Sequence, residues 1–302
     1  MAAVTLMTVV LIVEVGLRFW RVQIAGPTTN PFYVMHDDTL GWVYRPGTEA
    51  RHETKEFDIS ISINSSGFRG SDLDEETAKV VALGDSFTFG WGVEMSETFT
   101  SQLEKILGLP TLNLGVSGYS TDQELLLFRR KKEELKPDVV LLTFCRNDVM
   151  EAMQQSVYGK GKPRFTSERN DLTLVNVPVH ESFLVRYSFF YRFIMRRIKE
   201  FLPPSITPEE QNEGRDLVRR LIMAMASEVR QCGARLVLIH QGEEWLNESL
   251  AGSEELLTLD VLPHLSRAQK ELGPVSYAED GHWTPLGHRV VAEAIAELLK
   301  DL

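Results

Sequence analysis

Five residues, far apart in the chain, have the types that acyl transfer by a serine requires. They are Ser86 in VVALGDSFTFGWG, Gly118 in NLGVSG, Asn147 in RND, and Asp280 and His282 in EDGHW. A serine hydroxyl is a weak nucleophile until a base takes its proton, and the base needs a group that fixes its tautomer. The oxyanion that forms on the carbonyl needs donors already aimed at it. His282 is the candidate base and Asp280 the candidate orienting carboxylate. The backbone amides of Ser86 and Gly118 and the side-chain amide of Asn147 are the candidate donors, and a glycine at 118 lets the backbone come close to substrate. Each residue also has a plainer role open to it: Ser86 as a polar turn residue, Asn147 as a loop residue bonded to local backbone, and His282 as a structural histidine. Residue type alone does not choose between these roles. The elements that carry the residues decide it.

Val80 to Leu83 is apolar and β-branched, as an interior strand of a parallel sheet is, and Gly84 breaks the pattern. Leu112 to Leu114 and Val139 to Phe144 read as further strands, and Arg235 to His240 as a fourth. Between them lie helical patterns. Ser96 is placed to cap a helix with Phe99, Leu103, Ile106 and Leu107 on one face; Thr121 and Glu124 form the pattern of a capping box for a helix to about Leu135. Thr207, Pro208 and Glu210 start another helix, which Gly233 stops, and Thr284 and Pro285 start the last. Strands alternating with helices predict an α/β fold: a doubly wound parallel sheet of about five strands with helices on both faces, a three-layer sandwich. In such a sheet the loops after the strands share one edge, where ligands bind. Gly84-Asp85-Ser86, Gly115 to Ser120 and Arg146-Asn147-Asp148 follow three strands directly, so all three face one crevice.

The motifs GDSFTFG, NLGVSG, RND and DGHW, in this order and on these elements, resemble the SGNH (GDSL) hydrolase family over roughly Val80 to the C-terminus. The resemblance implies Ser86 as nucleophile, Asp280 and His282 as the rest of the triad, and Ser86, Gly118 and Asn147 around the oxyanion. It implies no metal and no organic cofactor. Members of the family are esterases, lipases, acetylxylan-type deacetylases and some acetyltransferases. Two positions depart from the usual pattern: Cys145 stands where a glycine is customary before Arg146-Asn147, and only Gly281 separates Asp280 from His282.

Outside the motifs the chain divides into a hydrophobic stretch at 1–21, expected to be a membrane anchor, a β-rich connecting segment at 22–78, and the hydrolase domain at 79–302 with an insertion at about 150–206. Phe57 to Ile63 alternates apolar with polar residues, the pattern of a half-exposed strand. In the insertion, Lys162 to Val179 suggests a hairpin around Arg169 to Asp171, and Ser182 to Phe201 is aromatic and basic. The formal charge of -11 argues against nucleic acid, whose phosphates require a positive surface. Cys145 and Cys232 lack metal-ligand spacing and read as buried free thiols. His288 and His240 read as structural, and Asp85 and Asp148 as braces for their loops.

The function expected from these readings is an esterase that cleaves a small acyl group, such as O-acetyl, from a glycan or lipid-like substrate. The catalytic domain is expected in the periplasm or outside the cell, with no nucleic acid and no obligate protein partner. Two alternatives stand beside it: an O-acyltransferase of envelope polysaccharide, and a catalytically silent binding protein of the same fold.

Overall fold

The computed structural model describes residues 2–19, 33–70, 72, 78–168, 171–180, 188–201, 206–253 and 255–300. The chain opens with helix α1 (Ala2–Phe19). Two antiparallel hairpins follow: β1 (Val34–Asp37) with β2 (Gly41–Tyr44), and β3 (Glu49–Glu53) with β4 (Asp58–Ser62). In β4 the side chains of Ile59 and Ile61 are buried while Asp58 and Ser60 are exposed, which is the alternation that Phe57 to Ile63 predicts.

The main domain begins at β5 (Val80–Gly84), followed by the short helix α2 (Ser86–Phe89), α3 (Phe99–Leu107), β6 (Thr111–Asn113), α4 (Thr121–Leu135), β7 (Val139–Thr143) and α5 (Asp148–Glu151). The insertion carries β8 (Ser156–Val157), β9 (Lys160–Gly161), β10 (Arg164–Glu168), β11 (Asp171–Val175) and α6 (Phe189–Phe201). The alternation then resumes with α7 (Pro208–Gln231), β12 (Arg235–His240), α8 (Glu244–Leu250), β13 (Leu256–Asp260), α9 (Leu262–Glu271) and α10 (Pro285–Lys300).

Five strands pair in the order β13-β12-β7-β5-β6, all parallel. Successive residues of each strand point to opposite faces, and the core divides accordingly. Val81, Leu83, Val140, Leu142, Leu236 and Leu238 pack with Leu125 and Phe128 of α4 and Val218, Ile222 and Met225 of α7. Val80, Ala82, Leu141, Val237 and Ile239 pack with Phe99 and Leu103 of α3, Leu265 of α9, and Val291 and Ile295 of α10. Each of these Val, Leu, Ile, Phe and Met side chains, once buried, contributes about 1.5 to 3 kcal/mol. The result is the doubly wound α/β sandwich expected. Because β6 and β7 lie on opposite sides of β5, the chain reverses direction across the sheet at β5, and a crevice opens beyond its carboxyl end.

Local details differ from the sequence reading. The fifth strand is β13, at a sheet edge. Thr98 caps α3, its hydroxyl accepting from Ser101 N, and Ser96 lies in a preceding 3-10 turn (Met95–Glu97). Thr121 does not cap α4: Ser120 occupies that position and Glu124 is buried. The Thr207 and Glu210 capping box does form. Cys145 is half-buried but Cys232 is exposed, because it follows the last turn of α7 on the solvent side. In the insertion, β10 and β11 form the expected hairpin, with Arg169 and Asn170 of its turn outside the described residues.

The expected transmembrane anchor is not supported: among the described residues, no helix is long and apolar enough to cross a membrane. Trp20 and Arg21 of that stretch, and residues 22–32 after it, lie outside the described residues, as do 182–187 of the aromatic and basic segment. The Glu14 carboxylate on α1 accepts from Ser188 Oγ and from the backbone N–H groups of Phe189 and Phe190, at 2.8 to 3.0 Å, and so caps the start of α6.

Candidate active site

Ser86 is the first residue of α2, two positions beyond the last residue of β5. Asp85 caps this turn, its Oδ1 accepting from Phe87 N at 2.9 Å. Ser86 Oγ is thereby held at the mouth of the crevice.

The loop before α10 brings His282 to it. His282 Nε2 lies 2.7 Å from Ser86 Oγ, and His282 Nδ1 lies 2.5 Å from Asp280 Oδ1. Gly281, at φ 85°, permits the tight turn that puts a carboxylate and an imidazole two residues apart in contact. The turn is closed by Gly281 N donating to Tyr277 O and Tyr277 N donating to His282 O. The one-residue spacing in DGHW is therefore compatible with a direct Asp–His contact. The second oxygen of Asp280 accepts from the Trp91 indole at 3.2 Å. Burial pushes the Asp280 carboxyl up, but the His282 hydrogen bond and charge and the Trp91 donor outweigh it and hold the group below its ordinary value. Phe87 and Trp91 flank the imidazole, their ring centroids 4.8 and 5.6 Å from it. Phe89, by contrast, is fully buried in the core.

Gly118 and Asn147 come from the loops after β6 and β7, the two strands on either side of β5. The Gly118 loop is pinned from both ends. Asn113 Oδ1 accepts from Gly115 N at 2.9 Å, and a side chain at 115 would meet the backbone of α2, its Cβ only 2.3 Å from Phe89 N. The first hairpin holds the other end: Tyr44 OH accepts from Ser117 N at 3.0 Å, Trp42 Nε1 donates to Ser117 O, and Tyr119 OH donates to Trp42 O. Asn147 precedes α5, and its side chain makes no capping bond there. It approaches Glu151 instead, whose carboxyl burial pushes up to about 7 against the lowering effect of Tyr158 and Asn147.

Acidic side chains lie buried beneath these loops. Asp85, Asp122, Glu124 and Asp148 are buried, and Lys162 from the insertion reaches them, its Nζ 2.6 and 2.8 Å from the two Asp122 oxygens and 2.9 Å from Glu151 O. Asp148 accepts from Thr121 Oγ1 and Cys145 N, joining the loops after β6 and β7. Burial pushes Glu124 and Asp148 well above the carboxylate range, and neighbouring carboxylates push further. Burial, with Asp85 and Asp148 nearby, also pushes the Cys145 thiol well up. His288 is buried away from the crevice, where its Nδ1 accepts from Phe99 N. His240 is likewise buried, with Asn247 and Glu243 N as partners.

Sequence reasoning missed Trp42, Tyr44, Glu56 and Lys162, all of which bear on these loops. Trp91 stood in the GDSFTFGWG stretch without a role. For the rest the only signal was weak: two aromatic residues in LGWVYRPG, spaced to share one face of a strand.

Residues 82–290 match the model of the GDSL-like lipase/acylhydrolase family. No curated protein is similar enough to match. Among solved structures, the chain is similar to a protein assigned to the lipolytic G-D-S-L family from Desulfitobacterium hafniense DCB-2 (16% identity, 73% of this chain and 99% of that one, TM-score 0.47). It is also similar to a GDSL-like lipase from Bacteroides thetaiotaomicron VPI-5482 (17%, 76% and 91%, TM-score 0.43), and to an acetyl xylan esterase (14%, 73% and 98%, TM-score 0.45). With well over half of its length matched by the family model, the chain belongs to the GDSL-like lipase/acylhydrolase family and is an esterase.

Proposed function

We propose that this esterase removes a small acyl group, such as O-acetyl, from an alcohol oxygen of a glycan or lipid-like substrate through a covalent intermediate on Ser86. One observation carries the reading: a single imidazole, His282, touches Ser86 Oγ with one nitrogen and Asp280 with the other. In that arrangement Ser86 Oγ attacks the ester carbonyl while His282 Nε2 takes its proton. Asp280 keeps Nδ1 protonated and stabilises the imidazolium. The oxyanion is received by the amides of Ser86 and Gly118 and by Asn147. As the tetrahedral species collapses, His282 returns the proton to the leaving alcohol, and water then repeats the sequence to free the acid. Phe87 and Trp91 crowd the base, which favours a short acyl chain, and an indole beside the reacting centre offers an apolar surface to a sugar ring.

Quenching the full chain in acid during turnover of p-nitrophenyl acetate, followed by peptide mass spectrometry, is expected to find acetyl on the peptide containing Ser86. Nitrophenol release with no acyl group on that peptide would overturn the covalent route.

The same reading holds the chain to a membrane face through α1, whose Val4, Met7, Leu11 and Ile12 side chains are all more than half exposed. An envelope substrate puts the catalytic domain on the periplasmic or outer side. Phospholipid vesicles are expected to carry the full chain on flotation, and much less of a variant with Met7, Leu11 and Ile12 changed to Ser. Equal flotation of both would remove α1 from this role.

A further inference from the structure

Residues 33–70 lie outside the segment that matches the family model, yet this part of the chain reaches the backbone on which the Asp–His pair is built. Glu56 stands in the turn between β3 and β4. Its Oε1 accepts from Glu279 N at 3.0 Å and its Oε2 from Asp280 N at 2.9 Å. One carboxylate thus holds two successive peptide N–H groups and fixes the plane of the peptide that enters Asp280. The turn carrying Glu56 is itself fixed, because Thr54 Oγ1 accepts from Glu56 N and Phe57 N and Thr54 N donates to Phe57 O.

The hairpin is seated on the same loops from several directions. The Phe57 ring packs on Tyr277 at 5.2 Å and His52 on Trp91 at 4.7 Å, while Glu94 Oε1 accepts from Ser60 N at 2.9 Å. The buried Arg69 guanidinium ties β4 to the end of α2, donating to Ser60 O and to the carbonyls of Phe89, Gly90 and Val93. Electrostatics alone would not put Glu56 here, since it stands beside Asp280 and Glu279, and like charges this close oppose one another. The two charge-assisted N–H bonds must offset that repulsion.

From this geometry we infer that Glu56 is a positioning residue for the proposed triad: it sets the Asp280 backbone so that the carboxylate stays on His282 Nδ1. The inference rests on the triad reading and adds that the N-terminal hairpin is part of the catalytic apparatus. Glu56 touches neither substrate nor the reacting atoms, so its whole effect passes through Asp280.

That route makes the test specific. With the full chain and p-nitrophenyl acetate, Glu56→Ala is expected to lower kcat about 10-fold with KM within about twofold. Glu56→Gln, which keeps an acceptor for one of the two N–H groups, is expected to fall between wild type and Glu56→Ala. In an Asp280→Ala background, measured at high enzyme concentration, Glu56→Ala is expected to cost less than about twofold, since residues acting through one group are not additive. A loss of similar size in both backgrounds would show a general structural role and overturn the inference, and so would wild-type kcat in Glu56→Ala. Were Glu56→Ala to fold poorly by circular dichroism, the same comparison with Glu56→Gln would decide. Failure of the triad reading has a different signature: Asp280→Ala would then be as active as wild type.

Discussion

Ser86→Ala is expected to lower kcat on p-nitrophenyl acetate by about 10⁴-fold or more, and His282→Ala by a similar factor. In the proposed route the two groups share one proton transfer, and Ser86 Oγ and His282 Nε2 lie 2.7 Å apart. Removing either ends the covalent route, so the double variant should be little worse than either single one. Residual activity is expected to come from the oxyanion donors acting on bound substrate and water. Asp280→Ala should cost less than either, since in that route Asp280 orients and stabilises the imidazole but exchanges no proton with substrate. Folding should be nearly untouched. The His282 side chain is 22% exposed at a crevice, and substitutions in such places seldom change stability by more than about 1 kcal/mol. Steady-state kinetics and thermal melts on wild type and the four variants check this together. Wild-type turnover in Ser86→Ala, or losses that multiply in the double variant, would show that the 2.7 Å contact is not a catalytic one.

What the sequence made legible about this site follows from how the fold is built. Val80 to Leu83 and Val139 to Leu142 are apolar throughout because both faces of a parallel strand are buried, and such runs stand out from their surroundings. Glycine and polar clusters directly after them are then fixed at one sheet edge, so Ser86, Gly118 and Asn147 are placed by topology before any side chain is considered. The strand β13 was invisible for the opposite reason: at the sheet edge Leu257, Thr258, Leu259 and Asp260 are partly or largely exposed, and LLTLD preceded by two glutamates reads as a loop. Short polar patterns misled where burial decided the outcome. Thr121 and Glu124 have capping-box spacing, but Glu124 is turned into the protein, and spacing does not say which carboxylate a fold will bury. Glu56 and Lys162 sit in charged stretches that look solvated. Their roles depend on Asp280 and Asp122, 224 and 40 positions away, pairings that one sequence read alone does not reveal.

Lys162→Met is expected to destabilise the protein by about 3 to 5 kcal/mol at and above neutral pH, the cost of leaving a buried carboxylate without its partner. Lys162 and Asp122 side chains are both fully buried, and the ammonium spends its three donors on the two Asp122 oxygens and Glu151 O. Asp122 is further held by Ser120 Oγ and Gln123 N, just after the Gly118 loop. Burial already raises the Asp122 carboxyl against the lowering effect of Lys162, so removing the lysine raises it more. The sign of the pH dependence follows. A carboxyl whose folded-state pKa lies above its unfolded value binds its proton more tightly when folded, so its contribution is full below the unfolded pKa and is lost as pH rises through the folded one. The variant should therefore approach wild-type stability in mild acid, where Asp122 is protonated, and fall further behind as pH rises. Lys162→Met with Asp122→Asn removes the charge as well and should recover most of the loss, because a neutral amide still bonds to Ser120 and Gln123. Urea midpoints across pH 5 to 8 on the three proteins measure this. A pH-independent loss in the single variant, or no recovery in the double, would mean that Lys162 acts by filling space and not by its charge. Activity adds a second reading: if the ion pair holds the Gly118 loop in place, kcat of the single variant should drop even where the protein remains folded, and should rise again with the double.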